Sequence, residues 1–311
     1  MASLDQSLSP VPEGLFARHA PALVLFGVTF IWGASFLIIQ TALAVSGPLF
    51  FQGLRYGIAA LLLALVTLPR IGGLTRLELW VGIATGLAVA AANGLQAVGL
   101  ASIPSSTSAF LTALYVPMVP LAQWLFMRDA PKPLAWIGIG LAFAGMVMLA
   151  GPGALRLDFG AGELMTIASA AIIAAEIVAI GIYTKHLDSR RVAFVQIVVI
   201  TLATLGAMPL AGEGIPGFTW LLLACAGGLG AGSVIIHLAM YWAQKRLSPT
   251  RATLIYATEP IWAGILGRLA GERLPALGLL GAGLIVLSFI LNALRPATDE
   301  AGGKTPAPPD H

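Results

Sequence analysis

Residues 259–286 read EPIWAGILGRLAGERLPALGLLGAGLIV, and an earlier stretch of the same chain follows the same pattern. Residues 116–143 read VPMVPLAQWLFMRDAPKPLAWIGIGLAF. At an offset of 143 residues Pro117 aligns with Pro260, and Gly138 aligns with Gly281. Few residues are identical, but the order of apolar, acidic and glycine positions agrees. We therefore predict an internal repeat that divides the chain into two similar halves.

The composition places most of the chain away from water. Hydrophobic residues make up 58% of the 311 residues and charged residues only 10%, whereas soluble domains carry about 25% charged residues. The mean hydropathy of +0.90 agrees. The single cysteine excludes an internal disulfide, and the four histidines are scattered without the spacing of metal ligands. We expect an all-α integral membrane protein that needs no metal and no cofactor.

Glycine, proline and charged residues divide the chain into apolar runs. Each run is close in length to the roughly 20 residues that an α-helix needs to cross a bilayer. The ten predicted runs are residues 20–43, 48–68, 77–99, 105–127, 133–150, 161–184, 191–210, 217–243, 249–270 and 275–294. We predict a first five-helix repeat over residues 1–153, a second over residues 154–295, and a disordered cytoplasmic tail over residues 296–311.

The basic residues predict the orientation of the chain. Thirteen of the 17 Lys and Arg residues lie on the side that holds the N-terminus, and three lie on the opposite side. Cytoplasmic loops carry the excess of positive charge, so we expect both termini in the cytoplasm and an even number of spans. Because each half holds five spans, the second half enters the membrane from the opposite side. Such an inverted-topology repeat suits alternating access.

Several motifs resemble one transporter family. They are WGASFLIIQTAL from Trp32, LRYGIAALLLAL from Leu54, and the Glu-Pro, Gly-Glu-Arg and closing glycines of residues 259–286. The chain resembles the EamA type of the drug/metabolite transporter superfamily, and within it the YddG-type exporters of aromatic amino acids. The resemblance implies export of metabolites from the bacterial cytoplasm across the inner membrane. The chain departs from the family at Arg128-Asp129, where Gly-Glu is usual, and at Ala175-Glu176, where a tryptophan is common.

Three charged residues stand within the apolar runs. Glu259 lies near the middle of the ninth run, Glu176 in the sixth and Arg55 in the second. A charge at the centre of a membrane helix costs about 2.5–3.5 kcal/mol on insertion scales, so such residues usually face protein or a wet cavity. Arg55 could bind a substrate carboxylate or form a salt bridge with either acid. Glu259 and Glu176 could bind a substrate amine or serve as structural partners, and Glu259 could instead bind a proton.

Polar and aromatic faces on several runs predict a central cavity near the membrane midplane. Runs one to four and six to nine should line it, and runs five and ten should lie outside. The predicted substrate-binding residues are Trp32, Arg55, Tyr56, Asn93, Gln96, Tyr115, Glu176, His237, Tyr241, Tyr256 and Glu259. The repeat-related prolines Pro117 and Pro260 should bend their helices and serve as gates.

These observations favour an exporter of small metabolites, most of all amino acids. An exporter of cationic drugs or quaternary amines is the alternative, since acids with aromatics can hold a cation. A channel or an intramembrane enzyme fits less well, because no nucleophile is paired with a histidine and the loops are short. The expected partners are a small-molecule substrate and the lipid bilayer, with no nucleic acid. The sequence leaves open whether the chain forms a homo-oligomer.

Overall fold

The computed structural model describes residues 15–100, 102, 111–128, 130–150, 160–269 and 276–293, and all regular structure in these ranges is helical. The predicted tail, residues 296–311, lies outside the described residues. The described ranges contain eleven α-helices. These are α1 (Leu15–Leu43), α2 (Pro48–Thr67), α3 (Arg76–Leu100), α4 (Tyr115–Met127), α5 (Pro133–Ala150), α6 (Ala161–Tyr183), α7 (Ser189–Ala207), α8 (Trp220–Ala243), α9 (Pro249–Tyr256), α10 (Glu259–Leu269) and α11 (Ala276–Ala293).

The helices follow the apolar runs of the sequence. Helices α1 to α8 overlap the first eight predicted runs, α9 and α10 share the ninth, and α11 occupies the tenth. Among the described residues six helices, α1, α2, α3, α6, α7 and α8, are long and apolar enough to cross a membrane. Their outer faces carry leucines such as Leu61 and Leu65, whose side chains are 71% and 78% exposed. Such a surface suits a lipid environment and would be costly in water.

Two helix pairs join the halves of the chain in antiparallel fashion. Gly53 of α2 packs on Leu205 of α7, and Gly57, one turn further along α2, packs on Thr201, one turn earlier in α7. Helices α5 and α11 form the most extensive helix pair in the fold. There Ser288 Oγ donates a hydrogen bond of 2.7 Å to the carbonyl oxygen of Gly138. Gly145, further along α5, packs against Ile285, which precedes Ser288 in α11.

Small residues allow α3 and α7 to approach closely. A Cβ atom on Gly82 would lie 2.6 Å from Val195 Cβ, and one on Gly86 would lie 2.8 Å from Val199 Cβ. The spacing of four residues on both helices shows that α3 and α7 run in the same direction. The glycines of this Gly-x3-Gly motif therefore serve helix packing.

Two carboxylates hold the starts of α2 and α7. Glu213, in the segment that follows α7, accepts hydrogen bonds of 3.0–3.1 Å from the backbone N–H groups of Leu49 and Phe50 at the start of α2. Glu78 of α3 accepts one of 2.9 Å from the Asp188 N–H, directly before α7, and pairs with Arg191 at 3.0 Å. Both carboxylates satisfy donors that a helix start leaves unpaired.

The ninth run is broken in the middle. Helix α9 ends at Tyr256, Ala257 and Thr258 form a turn, and α10 begins at Glu259. In this turn the Thr258 N–H bonds the carbonyl of Ile255, three residues back, at 3.0 Å. Pro260 follows as the second residue of α10, where a missing N–H costs nothing. We refer to this turn and the start of α10 as the ninth-run break.

The fourth run has a corresponding turn. Residues 111–112 are helical, Ala113 and Leu114 form a turn, and α4 begins at Tyr115. The Leu114 N–H bonds the carbonyl of Leu111, three residues back, at 3.2 Å. Pro117 lies in the first turn of α4. We refer to this turn and the start of α4 as the fourth-run break; it lies 144 residues before the ninth-run break.

Candidate functional site

A cavity of about 180 Å³ lies within the helix bundle. Its wall comes from α1, α2, α3, α6, α8 and α10 and from residues at the fourth-run break. Nine of the eleven predicted substrate-binding side chains line it: Trp32, Arg55, Tyr56, Asn93, Gln96, Tyr115, Glu176, His237 and Glu259. Within the described part of the chain, α5 and α11 contribute no residue to the wall, as the sequence predicted.

Arg55 brings a buried cation to the α2 side of the cavity. Its side chain is held by α8, because the Nε–H donates a hydrogen bond of 2.8 Å to Ser233 Oγ. The guanidinium carbon lies 5.1 Å from the centre of the Tyr56 ring. Among the described residues it forms no ion pair with Glu176 or Glu259, so the alternative of a salt bridge with either acid is wrong for this structure. The two terminal nitrogens of Arg55 stay available for a ligand.

Glu176 brings a carboxylate from α6. Its side chain is buried and accepts a hydrogen bond of 3.0 Å from Gln196 Nε2 on α7. Gln196 is itself fully buried and does not line the cavity. The prediction that the seventh run lines the cavity is therefore wrong as far as the described residues go. Helix α7 contributes to the site through the side-chain amide of Gln196, which orients the Glu176 carboxylate.

Glu259 lies at a helix start rather than in the middle of a helix, which corrects the prediction from the sequence. It is the first residue of α10, because the chain turns at Ala257 and Thr258 before the helix resumes. The N-terminus of a helix carries a partial positive charge that stabilises an anion there. Glu259 makes no hydrogen bond or ion pair within the described residues, although it lines the cavity. The ninth-run break thus places this acid at a helix start that faces the cavity.

Tyr115 occupies the corresponding place in the other half. It is the first residue of α4, is 7% exposed and lines the cavity. The two predicted gating prolines, Pro117 and Pro260, each lie one or two residues further along their helix. Both helix starts therefore point their first residue at the same space.

Hydrogen bonds to neighbouring helical segments hold the polar side chains on the α3 side of the cavity wall in place. Asn93 Nδ2 donates to the Tyr56 hydroxyl at 3.4 Å, and Gln96 Nε2 donates to Thr112 Oγ1 at 2.9 Å. The ring of His237 lies 5.9 Å from that of Tyr56. In the described residues His237 Nδ1 is buried without a hydrogen-bond partner.

Tyr241 and Tyr256 do not line the cavity, contrary to the prediction. Both side chains are fully buried. The Tyr241 hydroxyl lies 3.0 Å from Thr85 Oγ1, and the Tyr256 hydroxyl accepts a hydrogen bond of 3.1 Å from Gln244. Tyr256 supports the wall from behind, because its ring packs 5.0 Å from the ring of Trp32.

Other lining residues escaped the sequence reasoning. Ser35 and Gln52 are polar, and a larger set is apolar: Ile39, Ala88, Val89, Ala92, Ile172, Ile177, Ile236 and Met240. Helical spacing could have found the two polar residues, because Ser35 lies three residues after Trp32 and Gln52 three before Arg55. The apolar residues carry no such signal, since buried and lipid-facing isoleucines look alike in a sequence.

A bundle of apolar helices around a cavity with a cation and two acids defines a membrane transporter for small molecules. The chain belongs to the EamA-like transporter family, whose model matches residues 19–151 and again residues 160–294. This confirms the predicted family, which is one of transporters and not of enzymes. The family domain is present twice, once on each side of residue 155.

Similar proteins agree with this assignment. An "Uncharacterized transporter" of Archaeoglobus fulgidus is 26% identical over 91% of this chain and 88% of its own length. The "Uncharacterized inner membrane transporter YedA" of Escherichia coli K12 is 27% identical over 89% of this chain and 93% of its own. A solved crystal structure has the same fold, with a TM-score of 0.76, 21% identity and coverage of 89% and 99%. The names of these relatives specify no substrate.

Proposed function

We propose that this protein exports small metabolites, most of all amino acids, from the bacterial cytoplasm by alternating access around the central cavity. The observation that carries the proposal is the charge pattern of the wall. Arg55 offers a guanidinium whose terminal nitrogens have no partner within the described residues, while Glu259 and Glu176 offer carboxylates on other helices. An amino acid is a zwitterion, so its carboxylate complements Arg55 and its amine complements the acids.

The other predicted lining residues supply neutral contacts. Trp32, Tyr56 and Tyr115 offer aromatic faces for an apolar or aromatic side chain, and Asn93 and Gln96 offer amides. His237 Nδ1 and Gln52 Oε1 lack hydrogen bonds within the described residues. An unpaired buried polar atom costs about 1–3 kcal/mol, and a polar ligand that reaches either side chain would remove that cost.

The transport mechanism rests on a ten-span, five-plus-five inverted repeat. The second helices of the two halves, α2 and α7, run antiparallel, and so do the fifth helices, α5 and α11. The contact of α3 with α6 has its counterpart in that of α1 with α8. These relations support two halves of opposite orientation. Pro117 and Pro260 would then act as paired gates at the fourth-run and ninth-run breaks.

The location follows from charge and from the relatives. The excess of Lys and Arg on the N-terminal side supports cytoplasmic termini. A curated relative from Escherichia coli is named as an inner membrane transporter. We therefore place the protein in the bacterial inner membrane as a multi-pass chain, with both termini inside the cell.

Export of cationic drugs or quaternary amines is the second candidate. Glu259 lies on the same wall as Trp32, Tyr56 and Tyr115, and acids beside aromatic rings bind cations. The cavity of about 180 Å³ is, however, smaller than the roughly 300–1,000 Å³ of sites for drug-sized ligands. Its size favours a small metabolite, and Arg55 would repel a cation.

Transport by the purified protein in liposomes tests the proposal. A panel of labelled amino acids and tetraethylammonium would be supplied with and without a pH gradient, which also reports proton coupling. The triple variant Arg55→Gln, Glu176→Gln, Glu259→Gln should lose about 10–100-fold in transport efficiency, since hydrogen bonds to charged groups contribute about 1.5–3 kcal/mol.

Matched controls change the same residue types outside the cavity. Arg246, whose guanidinium lies over the Trp242 ring, and Glu163, in the first turn of α6, should tolerate the same replacement by glutamine. Normal amino acid export by the triple variant would remove the amino acid proposal. Transport of tetraethylammonium in place of amino acids would support the second candidate.

A further inference from the structure

The hydroxyl groups of α1 and of the ninth-run break meet in a buried cluster behind the cavity wall. Thr29 Oγ1 of α1 lies 3.0 Å from Thr258 Oγ1, the last residue before α10. The indole Nε1–H of Trp262, one turn into α10, donates to Thr29 Oγ1 at 3.2 Å. Thr29 and Thr258 are 0% and 1% exposed. None of the three side chains lines the cavity.

The two threonine hydroxyls of this cluster have two protons for three acceptor contacts. Each threonine hydroxyl also lies 2.7 Å from a backbone carbonyl of its own helical segment, Phe26 for Thr29 and Ile255 for Thr258. A hydroxyl has one proton and two acceptor lone pairs. Thr29 therefore accepts from Trp262. When one threonine donates across the gap to the other, its own backbone carbonyl loses that proton, so the two hydroxyls share two protons among three contacts. The cluster joins α1 to the turn at residues 257–258 and to the first turn of α10.

Packing around the cluster reinforces the same junction. A Cβ atom on Gly33, one turn after Thr29, would lie 2.6 Å from Trp262 Cβ, so α1 and α10 touch there. The ring of Trp32 packs on Tyr256, the last residue of α9. Helix α1 thus contacts the last residue of α9, the turn and the first turns of α10. The carboxylate of Glu259 lies directly after Thr258, with no hydrogen bond of its own in the described residues.

We infer that Thr29, Thr258 and Trp262 are positioning residues that hold Glu259 at the cavity wall for the amine of the substrate. The inference rests on the proposed function, because it assigns Glu259 the role of amine recognition. Without the cluster, the turn before α10 is free to move relative to α1, and the carboxylate moves with it. The three side chains act through Glu259 and do not touch the substrate.

A double-mutant cycle in liposomes tests the inference. Transport of labelled L-leucine would be measured for Thr29→Val, Glu259→Gln and the combination, with unlabelled L-leucine and its deaminated analogue 4-methylpentanoate as competitors. Thr29→Val should raise the KM for leucine about tenfold, because the turn before α10, and Glu259 with it, loses its hydrogen-bonded link to α1. It should leave kcat and the inhibition by 4-methylpentanoate almost unchanged. Thr29→Ser, which keeps the hydroxyl, should restore the wild-type KM.

The combination separates a positioning role from a general loss of stability. If Thr29 acts through Glu259, the double variant should be no worse than Glu259→Gln alone. A matched control is Thr85→Val, which removes another buried threonine hydroxyl, 3.0 Å from that of Tyr241 and away from the break. This control should leave the KM unchanged.

Three outcomes would overturn the inference. If Glu259→Gln lowers leucine affinity but the effect of Thr29→Val simply adds to it, the positioning role is wrong and the proposed function stands. If Glu259→Gln itself leaves leucine affinity unchanged, amine recognition by Glu259 fails, and the positioning role fails with it. Equal losses for leucine and 4-methylpentanoate in Thr29→Val would also contradict the inference.

Discussion

The fourth-run and ninth-run breaks have the same backbone arrangement but present different side chains to the cavity. In both, a turn with a hydrogen bond to the third residue back precedes a new helix, and a proline lies in the first turn of that helix. In both, the first residue of the new helix lines the cavity. That residue is Tyr115 in the first half and Glu259 in the second.

The comparison separates the features that both halves have from those that only one half has. The turn and the proline are common to both halves, so they belong to the architecture. The carboxylate is present in one half only, and therefore the repeat alone does not require it. The surroundings differ as well: the ninth-run break is held by the cluster of Thr29, Thr258 and Trp262, whereas at the fourth-run break Gln96 bonds Thr112.

The largest effect should come from Glu259, the first residue of α10, and not from Tyr115, the first residue of α4. Glu259→Gln should raise the KM for an amino acid about 10–100-fold, because it removes a charge-assisted contact worth about 1.5–3 kcal/mol. Tyr115→Phe removes only a hydroxyl and should change the KM by less than about threefold, since a neutral polar contact in a membrane bundle contributes about 0.6 kcal/mol on average. Initial rates of uptake into liposomes would measure both. Equal effects of the two substitutions would mean that the two halves share the binding of substrate.

The second-largest effect should come from substituting Pro260 and Pro117. Pro260→Ala restores an N–H that can bond the carbonyl of Tyr256, four residues back, and so favours a continuous ninth helix. If the break is a gate, the maximal transport rate should fall by up to about tenfold, which corresponds to a bias of 1.4 kcal/mol between two conformations. Pro117→Ala should act in the same direction, with little change in KM for either. Unchanged rates in both variants would exclude the proline gates.

A packing variant near one break should lower stability without changing chemistry. Gly33→Ala places a Cβ atom 2.6 Å from Trp262 Cβ and 2.8 Å from the Ala263 nitrogen. Overpacking of this kind costs about 1–3 kcal/mol, so the thermal unfolding midpoint in detergent should fall. Gly27→Ala, in the same helix with nothing within 4 Å, is the matched control and should unfold at the wild-type temperature or slightly above. A loss of the same size in both would mean that helix α1 is sensitive along its whole length.

The smallest effect should come from the fourth-run break. Thr112→Val removes the hydrogen bond of 2.9 Å from Gln96, and hydrogen bonds between membrane helices contribute about 0.6 kcal/mol on average. The unfolding midpoint should fall slightly, and the KM should stay within about twofold. A KM change as large as that of Thr29→Val would show that the two breaks contribute equally to the site.

Much of the site could be predicted because its residues are charged or polar side chains within apolar runs. A charge or amide in an apolar run has few stable places, so Arg55, Glu176 and Glu259 pointed to a cavity before any helix was placed. Tyr241 misled the same reasoning, because a tyrosine can satisfy its hydroxyl against a neighbouring helix, here through Thr85. The helical periodicity and the hydropathy of a sequence do not show whether a buried polar group faces a cavity or bonds a neighbouring helix.

The amino-acid sequence by itself determined the membrane class, the ten apolar runs, the internal repeat and the family. Each follows from local properties: hydropathy over about 20 residues, and similarity at a constant offset. The tertiary structure alone decided that α7 stands behind the wall, that Arg55 is held by Ser233 and pairs with neither acid, and that Glu259 begins a helix. These depend on contacts between residues far apart in the chain, such as Thr29 with Thr258, and no local pattern records them.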